Sequence, residues 1–173
     1  MLGEEKYLTA ARKGATFIWD NMWRDAGLLR IHKDGESKIP GCLDDYAYFL
    51  RSLLALYEAS FEFEWIEKAR QVADKMIAEF WDVSNAGFYL TGKSQAQLVT
   101  NLKNPADEAI PSANAIAALS LVTLAHITGK HEYREKAEEA LKAFQPLMEK
   151  SPPAFTGLLS LGPVKITSVG EDE

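Results

Sequence analysis

The chain has 173 residues, 47% hydrophobic and 25% charged, with a net charge of -6. That length suits one ordinary domain with its own core, and the composition is globular rather than disordered or coiled-coil. A net negative chain has no basic field to recruit phosphate backbones or anionic lipid, which argues against nucleic acid and membrane surfaces as partners.

A single cysteine, Cys42, cannot close an internal disulfide, so the framework does not call for an oxidising compartment. The opening residues mix acid and base without the apolar core of a signal peptide. The longest apolar stretch, 115 to 127, carries Ser120, Thr123 and His126 and is too short to span ~30 Å of hydrocarbon. The expectation is one cytoplasmic, all-α domain over 1–173, with an extended acidic tail at 163–173.

Residues 5 to 24 place Tyr7, Leu8, Ala11, Ala15, Ile18, Trp19 and Met22 at three- and four-residue steps among charged neighbours, which predicts an amphipathic helix with one wet face. About 19 residues then run from Asp25 to Leu43, opening on the alternating, strand-like LLRIH. From 44 to 60 the text is apolar nearly all the way round, as in a helix that must be surrounded. A tight link, SFEF, leads to a second wet-sided helix over 64 to 82, and about 29 residues from Val83 to Pro111 open on another strand-like stretch, FYLTG. Residues 112 to 128 form a second enclosed helix, closed by Gly129 as a left-handed cap. A third wet-sided helix occupies 132 to 149, and PPAFTGLLSLG at 152 to 162 supplies a short inner piece.

The kinds alternate: outer, inner, outer, inner, outer, with a short inner element last. Sliding the chain by 68 residues sets Leu53, Leu56 and Glu64-Trp65 on Leu121, Leu124 and Glu132-Tyr133. A slide of 58 sets Ala11-Arg12, Ala15 and Trp23 on Ala69-Arg70, Ala73 and Trp81. Two overlapping self-matches predict a duplicated helical hairpin, and stacked hairpins curve into a superhelix or a toroid. The fold expected is three helical hairpins, half of an α/α toroid, with small β-hairpin-like loops. In such a stack both long loops emerge at one end with the N-termini of the inner helices, and loops of that length are commonly functional.

That mouth holds Asp44 and Asp45 side by side, then Asp107, Glu108 and Ser112. One aspartate suffices to cap a helix and a second in the first turn meets the positive end of its dipole, so capping accounts for the pair. The other reading is chemical. Adjacent helical residues point about 100° apart, so acid–base work on one bond requires Asp44 or Asp45 together with Asp107 or Glu108 from the next loop. On the second inner helix Ser112 or Pro111 starts the helix conventionally, which leaves Asp107 and Glu108 free of capping duty. Most aromatics fall at core spacing; Tyr46, Phe88 and Tyr89 lie by the long loops and are able to stack a sugar ring, and His32 lies in the first of them. No ligand-spaced histidine pair, P-loop or dinucleotide fingerprint occurs, so neither metal nor cofactor is implied.

Residues 41 to 50 (GCLDDYAYFL), Trp81-Asp82 with Gly87-Phe88, Asp107 to Asn114 with its IPSAN, and PPAF at 152 resemble the closing part of the long thioredoxin-domain proteins of the YyaL and spermatogenesis-associated type. The resemblance spans about 5 to 165. It implies an (α/α)6 toroid similar to six-hairpin glycosidases and N-acylglucosamine epimerases, following a thioredoxin-like domain, with this chain holding the last three hairpins. Asp44, Asp45, Tyr46, Asp107, Pro111, Ser112 and Asn114 stand where the family pattern has them. Glu108 replaces a small residue and Cys42 a larger apolar one, so neither inherits a role. Together the readings nominate Asp44, Asp45 and Asp107 as acid–base groups and Tyr46, Ser112, Asn114, Phe88, Tyr89 and His32 as ligand contacts. The ligand expected is a small molecule such as a carbohydrate; the reaction is not assigned. The alternative is a non-catalytic binding or assembly module that completes a toroid as a homodimer or with another chain, because a half ring leaves inner helices bare at its ends.

Overall fold

A computed structural model describes residues 4–95 and 102–161, so the expected acidic tail at 163–173 lies outside the described residues. Five long helices carry the structure: α1 (Glu5–Met22), α2 (Leu43–Ser60), α3 (Glu64–Phe80), α4 (Ala113–Thr128) and α5 (His131–Lys150). Each lies within two residues of the span read from the sequence. A 3₁₀ turn at Pro152–Phe155 leads into the one-turn helix α6 (Thr156–Leu159), the short inner piece expected there.

The layers follow the two kinds of helix. The inner helices α2 and α4 lie against each other; α3 packs along α2, α5 along α4, α1 covers another side of α2, and α6 closes on α4. No residue of α4 is exposed except His126, and Ala115, Ala117, Ala118, Leu121 and Leu124 are wholly enclosed. The result is a predominantly helical fold consistent with a fragment of an α/α toroid.

The duplication read from the sequence is also conformational. Phe61 and Gly129, 68 residues apart, both end an inner helix in the left-handed conformation, with φ of 56° and 71°. Trp23 and Trp81, 58 apart, both leave an outer helix for extended backbone and pair with the residue after a left-handed glycine: Trp23 with Leu28 after Gly27, and Trp81 with Phe88 after Gly87. In both pairs a side chain near the start of the inner helix then receives that residue's backbone N–H. The Tyr46 hydroxyl accepts from Leu28 N–H at 2.7 Å, and Asn114 Oδ1 accepts from Phe88 N–H at 2.8 Å. Tyr46 and Asn114 are again 68 apart. Glycine at 27 is required by this contact, since a Cβ there would fall 2.1 Å from the Tyr46 hydroxyl.

Beyond this shared clamp the two long loops diverge. In the first, β1 (Trp23–Arg24), β2 (Gly27–Lys33) and β3 (Glu36–Pro40) form an antiparallel sheet in the order β1-β2-β3. Asp34 and Gly35, both at positive φ, join β2 to β3 as the two-residue turn that matches strand twist. In the second, the strand-like FYLTG makes no strand among the described residues, only the isolated Trp81–Phe88 bridge. Asn114 takes both backbone groups of Phe88, its Nδ2 donating to the Phe88 carbonyl at 3.0 Å, while Tyr89 N–H goes to Phe80 and Leu90 N–H to Leu102. With its hydrogen bonds divided among Asn114, Phe80, Leu102 and Leu43, this backbone has no ladder to join beyond the single bridge.

These clamps set a first prediction. Tyr46→Phe keeps the ring but leaves Leu28 N–H buried without an acceptor, a loss of about 1–3 kcal/mol; Asn114→Ala strands two backbone groups and costs more, about 2–4 kcal/mol. Urea unfolding monitored by circular dichroism reads both, and an unchanged midpoint for either variant would show that the loop does not hang on that bond.

Candidate functional site

The N-termini of α2 and α4 share one end of the molecule, as their loops imply. The Tyr48 hydroxyl, one turn after Asp44, donates to the Pro111 carbonyl at 2.8 Å just ahead of α4. Its pKa is raised by burial first, then by the charges of Asp44 and Asp107, so both carboxylates are felt at this one hydroxyl. Between α1, β2 and the start of α2 runs a groove of about 390 Å³. Met22, Leu28, Phe49 and Ile110 contribute apolar walls; Asp44, Asp45, Arg30 and Tyr48 contribute the polar groups.

The adjacent aspartates divide the labour. Asp45 is the third residue of α2, and its Oδ2 accepts the backbone N–H of Cys42 at 2.8 Å, as in a capping box; Arg30 lies 3.8 Å away. Asp44, half-buried on the groove wall, has one weak partner among the described residues, the Cys42 thiol at 3.6 Å. Burial first, then the Asp45 charge, push the pKa of that thiol upward, which disfavours the thiolate, although Arg30 donates to the sulfur at 3.0 Å.

Asp107 has a structural duty that the sequence reading does not give it. It accepts Ser112 N–H at 2.9 Å, Gly157 N–H at 2.7 Å and the Thr156 hydroxyl at 2.8 Å, fastening the residue that caps α4 to the start of α6. Burial pushes its pKa up, but these donors reverse that and leave it lowered. The expectation that Asp107 is free of capping duty is therefore corrected: it orders the cap itself. Ser112 starts α4 as read, accepting Ala115 N–H at 3.2 Å while its hydroxyl donates to Pro105.

The nominated ligand contacts are scattered. Tyr46, Phe88 and Asn114 are enclosed, with exposures of 3%, 0% and 0%, and hold the loops from within. The Tyr89 hydroxyl donates to Asp82 at 2.6 Å in a second loop cluster. His32 sits across the hairpin, its Nδ1 2.8 Å from the Ser37 hydroxyl and its ring edge-on to Phe17 of α1. Asp44, Asp45 and Tyr48 are what the fold brings together. Tyr48 and Arg30 are not among the nominated residues, although the spacing of Tyr48 from Asp44, one helical turn, is visible in the sequence.

Asp82 is a further centre of order that the sequence reading does not single out. It is 4% exposed, pairs with Lys103 at 2.6 Å and accepts from Ser84 N–H, Asn85 and Tyr89. Burial alone would raise its pKa; Lys103, Tyr89 and the backbone outweigh that and hold it well below the usual carboxylate range. Among the described residues no cluster of three candidate metal ligands occurs, and no helix is long and apolar enough to cross a membrane.

Against known proteins, residues 32–153 match the N-acylglucosamine 2-epimerase family. The match holds α2 to α5 with Asp44, Asp45 and Asp107 inside it. This chain belongs to that family. It is also 36% identical over 169 residues to spermatogenesis-associated protein 20 of Rattus norvegicus and 34% identical over 166 residues to that of Homo sapiens, covering 90% of this chain and 21% of each relative. An uncharacterized Caenorhabditis elegans protein is 30% identical over 161 residues, covering 88% of this chain and 22% of its own length. The epimerase-family chain thus spans about a fifth of the curated relatives it matches, and the spermatogenesis-associated resemblance read from its motifs holds over nearly all of it.

Asp82 and Asp107 set a pH prediction. A carboxylate whose folded pKa lies below its unfolded value of about 4 stabilises the fold above that value, and the stabilisation is lost as pH falls through the lowered folded pKa. Melting temperature should therefore drop steeply below about pH 4. Asp82→Asn should lower stability at pH 7 and flatten that acid decline, with Asp107→Asn doing so to a smaller degree; thermal melts from about pH 7 to about pH 2.5 check it, and an unaltered acid slope in Asp82→Asn would refute it.

Proposed function

We propose that the groove at the mouth of α2 binds a small hydroxylated molecule, a sugar or a close relative, with Asp44 as its acid–base and hydrogen-bonding group and the Tyr48 ring as its platform. One observation carries this reading: of the three nominated carboxylates, Asp44 is the one neither of whose oxygens meets a backbone N–H or a cation among the described residues, whereas Asp45 commits one oxygen to Cys42 N–H, and Asp44 lines an open groove with apolar walls. A carboxylate beside an aromatic face suits a sugar, which offers hydroxyls at its rim and C–H groups on its faces.

The same bookkeeping bears on the reaction class. Hydrolysis by paired carboxylates requires two free groups flanking one bond. Asp45 and Asp107 are both engaged in fastening backbone. A single free carboxylate instead suits transfer of one proton, the elementary step of inverting a carbon centre, and the epimerase in the family's name fits that class. Three outer–inner helical pairs would make half of a six-pair ring, placing this mouth on the ring's axis with further walls from the remaining pairs.

The test is a thermal-shift panel of free hexoses, hexosamines and N-acylhexosamines, run at millimolar ligand on the native chain and on Asp44→Asn. The variant should keep its stability to within about 1 kcal/mol, because only a first-turn dipole interaction is lost, and should lose the ligand-induced shift. Absence of any shift with the native chain, or an equal shift in the variant, would sink the reading.

A further inference from the structure

We infer that the groove selects a ligand carrying a protonated amine, so that within the sugar-site reading, on which this step rests, the substrate class is the free amino sugar rather than the neutral or N-acylated one. What sets Asp44 apart is charge compensation. Seven carboxylates among the described residues are half-buried or buried. Five of them have a lysine or arginine at 2.6–3.8 Å: Asp45 with Arg30, Glu62 with Arg12, Glu79 with Lys75, Asp82 with Lys103 and Glu138 with Arg134. Asp107 is served by the N–H groups of Ser112 and Gly157. Asp44 has neither a cation nor a backbone N–H among the described residues, only the Cys42 thiol at 3.6 Å.

The lining of the groove brings Asp44 no counter-charge. Helix α1 contributes Ile18 and Met22, the second loop contributes Ile110, and α2 adds Asp45, Tyr48 and Ser52. Arg30 of β2 is the one cation in the lining; its Nη1 is turned to the Cys42 sulfur at 3.0 Å and to Asp45 at 3.8 Å, and its side chain is 53% exposed. Two neutral acids beside Asp44 register the excess. Burial first, then the Asp45 and Asp44 charges, push the Cys42 thiol up, and burial followed by the Asp44 and Asp107 charges does the same to the Tyr48 hydroxyl. A charge partly withdrawn from water and left without a partner is stabilised most by a cation that brings hydrogen-bond donors of its own. A primary ammonium is such a group.

The aromatic wall favours the same group. Tyr48 stands one turn after Asp44, and its hydroxyl is fixed to the Pro111 carbonyl at 2.8 Å, so its ring is held in the groove wall beside the carboxylate. An ammonium between a carboxylate and an aromatic face is attracted by both. Each rival class lacks that fit. An N-acyl sugar puts a neutral amide in the place of the ammonium and leaves Asp44 uncompensated. A sugar acid would have to draw Arg30 away from Cys42 and Asp45, and would bring a second negative charge to Asp44. Arg30, as the single positive charge of the lining, opposes an amine, so its removal sharpens the preference.

Isothermal titration at about pH 6.5, where an amine of pKa about 8 is charged, compares glucosamine with glucose, N-acetylglucosamine and glucuronate on the native chain. Glucosamine should bind at least about tenfold more tightly than each of the others, the margin of one charge-assisted hydrogen bond. Asp44→Asn should bring that ratio to about one, Asp44→Glu should keep most of it, and Arg30→Gln should raise it. Cyclohexylamine, a ring with the amine and no hydroxyls, separates the amine from the sugar. Equal affinities for glucosamine and glucose, both lost in Asp44→Asn, leave the sugar site standing and overturn the amine. Binding of cyclohexylamine as tight as that of glucosamine supports the amine and refutes the sugar. Tighter binding of glucuronate or N-acetylglucosamine than of glucosamine, or a glucosamine preference that survives in Asp44→Asn, overturns the inference, as does failure of every ligand to bind.

Discussion

The fold depends on a pair of equivalent hydrogen bonds. Each outer helix ends at a tryptophan, the chain turns at a left-handed glycine, and the N–H of the next residue is driven into the interior, where it would be costly left alone. A side chain near the start of the following inner helix takes it, tyrosine in one pair and asparagine in the other. Each bond ties the exit of an outer helix to the entrance of an inner one across a long loop, spanning 18 and 26 residues. This tie sets where each loop leaves its outer helix, and further bonds such as Gly41 N–H to Leu28 and Leu43 N–H to Leu90 hold the mouth they frame. The two solutions are chemically different because their surroundings are. The Tyr46 ring also fills space against Phe80 and Trp23, whereas Asn114 must serve an acceptor and a donor of Phe88 at once.

Enclosure of the inner helices is the second constraint, and it orders the rest. A helix such as α4, without a single Asp, Glu, Lys or Arg, has no side to give to water. It is therefore packed by α2, α5 and α6 at once, and the amphipathic helices take the outside by default. In the loops, Asp82 with Lys103 and Asp107 with Gly157 reach inward and fasten backbone. Several donors converge on each carboxylate, the condition under which a charge drawn wholly or partly out of water stabilises.

Helices and layers are legible in the sequence because they are written in periodicity, which repeats over many residues and tolerates error at any one of them. The alternation of wet-sided and enclosed segments defines the two layers, and the 58- and 68-residue self-matches identify positions that share conformation, Phe61 with Gly129 and Trp23 with Trp81. The Asp34-Gly35 turn is not among the features read, although aspartate-glycine between alternating segments is a strong hairpin signal. The site is less legible, for a physical reason. Tyr46, Phe88 and Asn114 are nominated because they lie beside long loops, but whether a side chain there faces a ligand or holds the loop depends on contacts 18 to 26 residues away. Sequence proximity to a loop cannot separate those roles. The FYLTG stretch fails as a strand on the same account: its pattern is right, but its backbone hydrogen bonds are spread over Asn114, Phe80, Leu102 and Leu43.

The adjacent aspartates can be judged by comparing the two inner helices. Shifted by 68 residues, Asp44 and Asp45 fall on Ser112 and Ala113. The second inner helix starts cleanly with Ser112 receiving Ala115 N–H and no carboxylate at either position, so this type of helix start does not require two acids. In the first helix Asp45 closes the capping box with Cys42 N–H. That bond takes the N–H of the residue ahead of α2, as Asp107 takes the Ser112 N–H ahead of α4. Asp44 is then surplus to the cap, and it faces the groove with its oxygens almost unclaimed. A half-buried charge beside apolar walls carries a desolvation penalty that the helix dipole offsets by only about 0.3–1 kcal/mol. That imbalance is the physical ground on which the ligand role proposed for Asp44 rests.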